Sequence, residues 1–153
     1  MEKFSTHGQV TAGSDKTAIN LFNPAATPVN RGAIAEIIVG CVATPADLAT
    51  RWHAGRSTAL GTEGSGFTPV NLDPAGPAGA YDSGIAHAGG SGPTYTASKE
   101  LLDFSVHQRA TFRWIANQGY ELLMAATQNY GIGLYTKSSG GTTAHEATIL
   151  FQE

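Results

Sequence analysis

One cysteine, two methionines and two tryptophans occur in 153 residues. A single thiol, Cys41, excludes an intrachain disulfide. It lies in an apolar run and reads as a small buried side chain. Charge is scarce as well: Asp, Glu, Lys and Arg make up 14% of the chain, against about 25% in ordinary domains. The net charge of −3 and pI of 5.9 lack the positive excess with which a sequence-independent nucleic-acid binder displaces counterions. No nucleic-acid partner is expected. No run approaches the ~20 apolar residues of a membrane-spanning helix, and the opening MEKFSTHGQV lacks the apolar segment of a signal peptide. No membrane partner is expected, and folding in a reducing cytoplasm is.

Motifs that carry chemistry are missing too. Gly61–Gly66 (GTEGSG) lacks the Gly-Lys-Ser/Thr ending that contacts phosphate and magnesium. Ser65 is not a nucleophile elbow, because Glu63 stands where the first glycine belongs. His7, His53, His87, His107 and His145 show no metal-ligand spacing. The carboxylates Asp73, Asp82, Glu100 and Asp103 form no calcium loop and read as scattered through loops. The expectation is a protein without cofactor or metal that is not an enzyme. A small hydrolase or cupin-like enzyme would need histidines and carboxylates to converge inside a barrel.

What the chain has is turn formers and alternation. Its 19 glycines and 7 prolines are about one residue in six, above the usual combined share of roughly 12%. In Phe104–Ala116, the residues Phe104, Val106, Gln108, Ala110, Phe112, Trp114 and Ala116 alternate with Ser105, His107, Arg109, Thr111, Arg113 and Ile115. Successive strand side chains point to opposite faces, so this run reads as a half-buried strand with its apolar set inward. It would span about 40 Å at roughly 3.3 Å per residue. Gln108 is the one polar residue on the inner face and marks a bulge or a break between two shorter strands.

Further strands are expected at Thr17–Phe22, closed by Asn23-Pro24, and at Gly32–Val42. The second is nearly continuous in apolar residues, which implies burial on both faces or of one face in an oligomer. Glu36 interrupts it and is expected to face solvent or pair with an arginine. Pro45–Ala54 fits a capped helix or a strand, and its β neighbours favour the strand. Asp82–His87, Ile132–Lys137 and Ala144–Glu153 also read as strands, the last with Ala147, Ile149 and Phe151 on one face. Glu121–Thr127 reads as a strand or a short helix. Ser57–Ala80, rich in Gly and Pro, reads as a long loop anchored by Phe67–Val70. Residues 1–8 read as a loose arm and residues 9–153 as one domain. The predicted fold is all-β, a jelly-roll-like antiparallel β-sandwich of about eight strands.

His107, Arg109 and Arg113 would form a basic stripe on the outer face of the long strand. With Phe67, they are the candidate interface residues. The stripe is either a solvated face that discourages edge pairing or a contact with an acidic neighbour. Trp52, Tyr81, Tyr95, Tyr120, Tyr130 and Tyr135 are candidates for stacking on sugars.

Five segments in order carry a resemblance: Thr17-Ala18-x-x-Leu21-x-Asn23-Pro24, the Gly/Ala/Ile/Val strand near 33, Thr68-Pro69-Val70-Asn71-Leu72-Asp73-Pro74, His107–Trp114 (HQRATFRW), and the closing strand to Glu153. The chain resembles small all-β proteins of tailed bacteriophages that decorate or cement the capsid. That resemblance implies a jelly-roll-like sandwich, trimeric binding to the shell, the major capsid protein as partner, and a place in the virion after assembly in the host cytoplasm. A carbohydrate-binding or receptor-binding β-sandwich is the alternative.

Overall fold

The computed structural model describes residues 1–11, 15–27, 30–62, 65–85, 92–139 and 143–153. Every regular element among them is a strand: β1 (Lys3–Thr11), β2 (Lys16–Phe22), β3 (Ala33–Cys41), β4 (Ala49–Ala59), β5 (Ser65–Phe67), β6 (Val70–Asn71), β7 (Asp82–Ile85), β8 (Thr94–His107), β9 (Phe112–Ile115), β10 (Leu122–Leu123), β11 (Gly131–Ser139) and β12 (Ala144–Gln152). They build two antiparallel sheets packed face to face. Sheet A runs β10-β3-β12-β1-β6, with β9 also on β3, and sheet B runs β5-β7-β2-β11-β4-β8.

Eight of these strands carry jelly-roll order. β1 pairs with β12, β2 with β11, β3 with β9, and β4 with β8. This is one long hairpin rolled so that its successive rungs fall alternately in sheet A and sheet B. The short β5, β6, β7 and β10 are additions to that frame.

The core follows from alternation. Ala147, Ile149 and Phe151 of β12 are buried, as the sequence predicts. In β3, Ala35 is an extra residue between the pairs Ile34–Phe151 and Glu36–Leu150. This bulge resets the alternation, so Ile34, Ile37 and Val39 all face inward. Glu36 is thereby turned outward, where Arg113 meets it. Pro45–Ala54 resolves as the strand β4, beginning at Ala49.

Several expectations are corrected. Residues 3–8, read as part of an arm, are paired along β12 in register from Lys3–Gln152 onward. Phe4, Thr6 and Val10 alternate into the core, and the polar Thr6 and the Gly8 between Phe4 and Val10 hid the pattern. Ser57–Ala80 is no continuous loop: β4 continues to Ala59, β5 adds to β7 at the edge of sheet B, and β6 adds to β1 at the edge of sheet A. Glu121–Thr127 contributes only the two-residue β10. Cys41 is half-buried at the end of β3, with Sγ 3.5 Å from Ala43 O. Glu63, Gly64, His87 and the segment Ala88–Ser91 lie outside the described residues, as do Gly140 and Gly141.

The long strand expected over Phe104–Ala116 is two strands in two sheets. β8 ends at His107, a turn closes with Ala110 N donating to His107 O at 2.8 Å, and β9 begins at Phe112 on the opposite sheet. Alternation survives the crossing because the chain turns a corner around a shared core. Val106 is buried, and Phe104, Phe112 and Trp114 are half-buried.

Candidate interaction surfaces

Gln108 explains the corner. Its side chain is buried; Oε1 accepts from Ala46 N at 3.0 Å, and Nε2 lies 3.5 Å from Thr50 Oγ1. Thr50 Oγ1 is 3.1 Å from His145 Nε2 on β12. A buried amide, hydroxyl and imidazole thus tie sheet B to sheet A beside Trp52, whose ring meets His145 edge-on at 5.8 Å. Buried polar groups need such partners, because an unmade hydrogen bond leaves the full desolvation cost. Burial holds the His145 pKa below its ordinary value, opposed by a hydrogen bond that the ring donates to the Gly40 backbone carbonyl. The space among these side chains is about 10 Å³, room for about one water molecule.

The expected basic stripe does not form on one strand, because the corner divides it. Arg109 lies in the turn, with Nε 2.9 Å from Asp47 Oδ1, and His107 at the end of β8 has Nε2 3.9 Å from the same oxygen. Arg113 is on sheet A, with Nε 2.5 Å and Nη2 3.1 Å from the two Glu36 carboxylate oxygens. That guanidinium holds the Glu36 carboxyl below the usual carboxylate range. The acidic neighbours that these arginines meet are therefore in their own chain. Phe67 sits on β5, apart from the other three, and packs edge-on against His7 at 4.6 Å.

The outer face of sheet B is covered by its own chain. Gly55 on β4 and Gly133 on β11 leave a flat floor. A Cβ on Gly133 would run into the Tyr95 hydroxyl, so only hydrogen fits there. Tyr95 stacks on Tyr135 at 4.1 Å and reaches across the floor to Thr17 Oγ1 at 2.7 Å. Beside it, His53 is buried, with Nε2 3.2 Å from Asp103 Oδ1 and Nδ1 3.9 Å from Glu100 Oε1, neither with hydrogen-bond geometry. Asp103 is held by a two-pronged contact from Arg51, which lowers its pKa. Both carboxylates lie on β8, not in loops. The sequence signals for this layer were two glycines inside strands.

The outer face of sheet A differs. One cross-strand row runs Val70, Ser5, Leu150, Glu36, Ile115. Leu72, Ala35 and Ala116 join Ile115 and Leu150 around a shallow groove. Val70, Leu72, Ile115 and Leu123 are each 49% to 58% exposed. Lys3, Gln152 and Glu36, the last paired with Arg113, also line this groove.

Of the six aromatic candidates for sugar stacking, Trp52, Tyr81 and Tyr135 are buried and Tyr95 lies against Tyr135. Tyr120 and Tyr130 are exposed. Among the described residues no group of three His, Cys, Asp or Glu side chains is placed to hold a metal ion. No family model and no curated protein matches this chain.

Proposed function

We propose that this chain is a virion structural protein that decorates and stabilises a bacteriophage capsid, bound to the major capsid protein as a homo-oligomer with three copies at each position. The observation that carries the reading is the asymmetry of the two sheets. Sheet B covers its outer face with Tyr95 and Tyr135. Sheet A leaves Val70, Leu72, Ile115 and Leu123 at the surface around one ion pair. Large apolar side chains exposed among polar groups on one sheet face suit a protein partner better than water. The segment order that resembles capsid-decorating proteins points to a shell as that partner. Arg113 on this face is paired with Glu36 of its own chain, and that pair would form the polar centre of the contact.

The test is co-sedimentation with undecorated bacteriophage capsids. Leu72→Glu with Ile115→Glu is expected to abolish sedimentation with the shell while the β-type circular dichroism persists. Undiminished binding by the folded double variant would remove the sheet A face from the contact.

A further inference from the structure

The two seams of the sandwich end differently. At one, the terminal strands β5 and β6 are three and two residues long. At the other, β8 is a 14-residue edge strand of sheet B. Natural sheets blunt their edges with short or interrupted strands, since a long regular edge is a template for pairing. The first half of β8 is interrupted by register shifts, but Leu102–His107 pairs residue for residue with Ala49–Ala54 without a break. Among the described residues, β4 is its one sheet neighbour.

The core is also open along this seam. Leu101, Leu102, Phe104, Phe112, Trp114 and Leu122 are the partly buried apolar side chains packed against the core. All six lie on β8, β9 and β10. A partner there would cover apolar flanks as well as backbone.

The polarity of the edge is fixed by one bond. Gln108 N donates to Leu48 O at 3.0 Å, so residue 108 faces β4. Strand residues alternate in the direction of their backbone groups. Val106 and Phe104 therefore also face β4, and Asp103, Ser105 and His107 turn their N–H groups to the open side. The His107 carbonyl accepts the turn bond from Ala110 N, which leaves the carbonyls of Asp103 and Ser105 outward.

We infer that this edge is a two-fold contact between two copies of the chain, made by antiparallel pairing of β8 with β8 centred on Ser105. In that register Ser105 faces Ser105, with reciprocal N–H to C=O bonds. Each His107 N–H reaches the Asp103 carbonyl of the other copy. Asp103 and His107 side chains, on the same face, then stand opposite one another across the contact, acid against base. A contact of this kind is isologous, so each surface meets its own copy. It goes beyond the shell reading and does not depend on it, because it is measured on free protein; either can fail alone.

The test uses the full chain with Cys41→Ser as background. Ser105→Cys places two thiols on the dyad, about 5.5 Å apart at Cα, within disulfide reach. Asp103→Cys places its two thiols four residues out of register, about 13 Å along the strand. Mild oxidation is expected to link the Ser105→Cys protein into covalent pairs and to leave the Asp103→Cys protein unlinked. Ser105→Pro removes only an N–H that faces away from β4, and the wild type is expected to have about twice its mass by light scattering. Failure of folded Ser105→Cys to cross-link, equal cross-linking of the two cysteine variants, or an unchanged mass for folded Ser105→Pro would each overturn the contact.

Discussion

Phe104 and Phe112 stack with ring centroids 4.3 Å apart and an interplanar angle of 23°, although β8 and β9 belong to different sheets. The chain turns its corner between them, and the stack bridges the sandwich where its seam is open. Aromatic pairs in this arrangement contribute about 0.5–1.5 kcal/mol beyond their burial. A double-mutant cycle of Phe104→Leu and Phe112→Leu in urea unfolding should return a coupling in that range. Additive losses would mean that the rings are neighbours without mutual stabilisation.

The two tryptophans should behave unequally. Trp52 is fully buried between the sheets, and Trp114 is half-buried on the edge strand β9. Trp52→Ala is expected to cost about 3–5 kcal/mol, as for large aromatic truncations in cores, and Trp114→Ala clearly less. Acrylamide should quench the fluorescence of Trp114, measured in Trp52→Phe, more than that of Trp52, measured in Trp114→Phe. Equal losses of stability or equal quenching would contradict the placement of the seam.

His145 gives a pH dependence of definite sign. Burial depresses its folded pKa below the ordinary value of 6.5. As pH falls through that ordinary value, the unfolded chain takes up a proton that the folded chain does not. This contribution is fully present above the ordinary pKa, is lost progressively as pH falls from there to the folded pKa, and is flat below it. Urea midpoints measured from pH 7.5 to 5 should fall less steeply for His145→Asn than for the wild type. Parallel curves would show that His145 titrates alike in both states.

The alternation of Phe104–Trp114 identified which side chains face inward on both sides of the turn, and it failed only within the turn, where Ala110, expected inward, is exposed. That pattern is local, since neighbouring residues of a strand must point to opposite faces whatever sheet they join. The same holds for Ala147, Ile149 and Phe151. Gln108 announced itself as the one polar residue on the inner face, and the tertiary structure supplied its reason: Ala46 and Thr50 wait for its amide. Three things needed the assembled fold. The crossing from sheet B to sheet A divides the apparent basic stripe and gives Arg109 and Arg113 separate acids in Asp47 and Glu36. The pairing of residues 3–8 with β12 is made by backbone groups that every residue carries, so composition did not mark it. The covering of sheet B by Tyr95 depends on glycines 55 and 133 from strands far apart in sequence. Periodicity along a strand is fixed by covalent geometry, whereas partners across strands are chosen by packing between segments up to about 150 residues apart, such as Lys3 and Gln152.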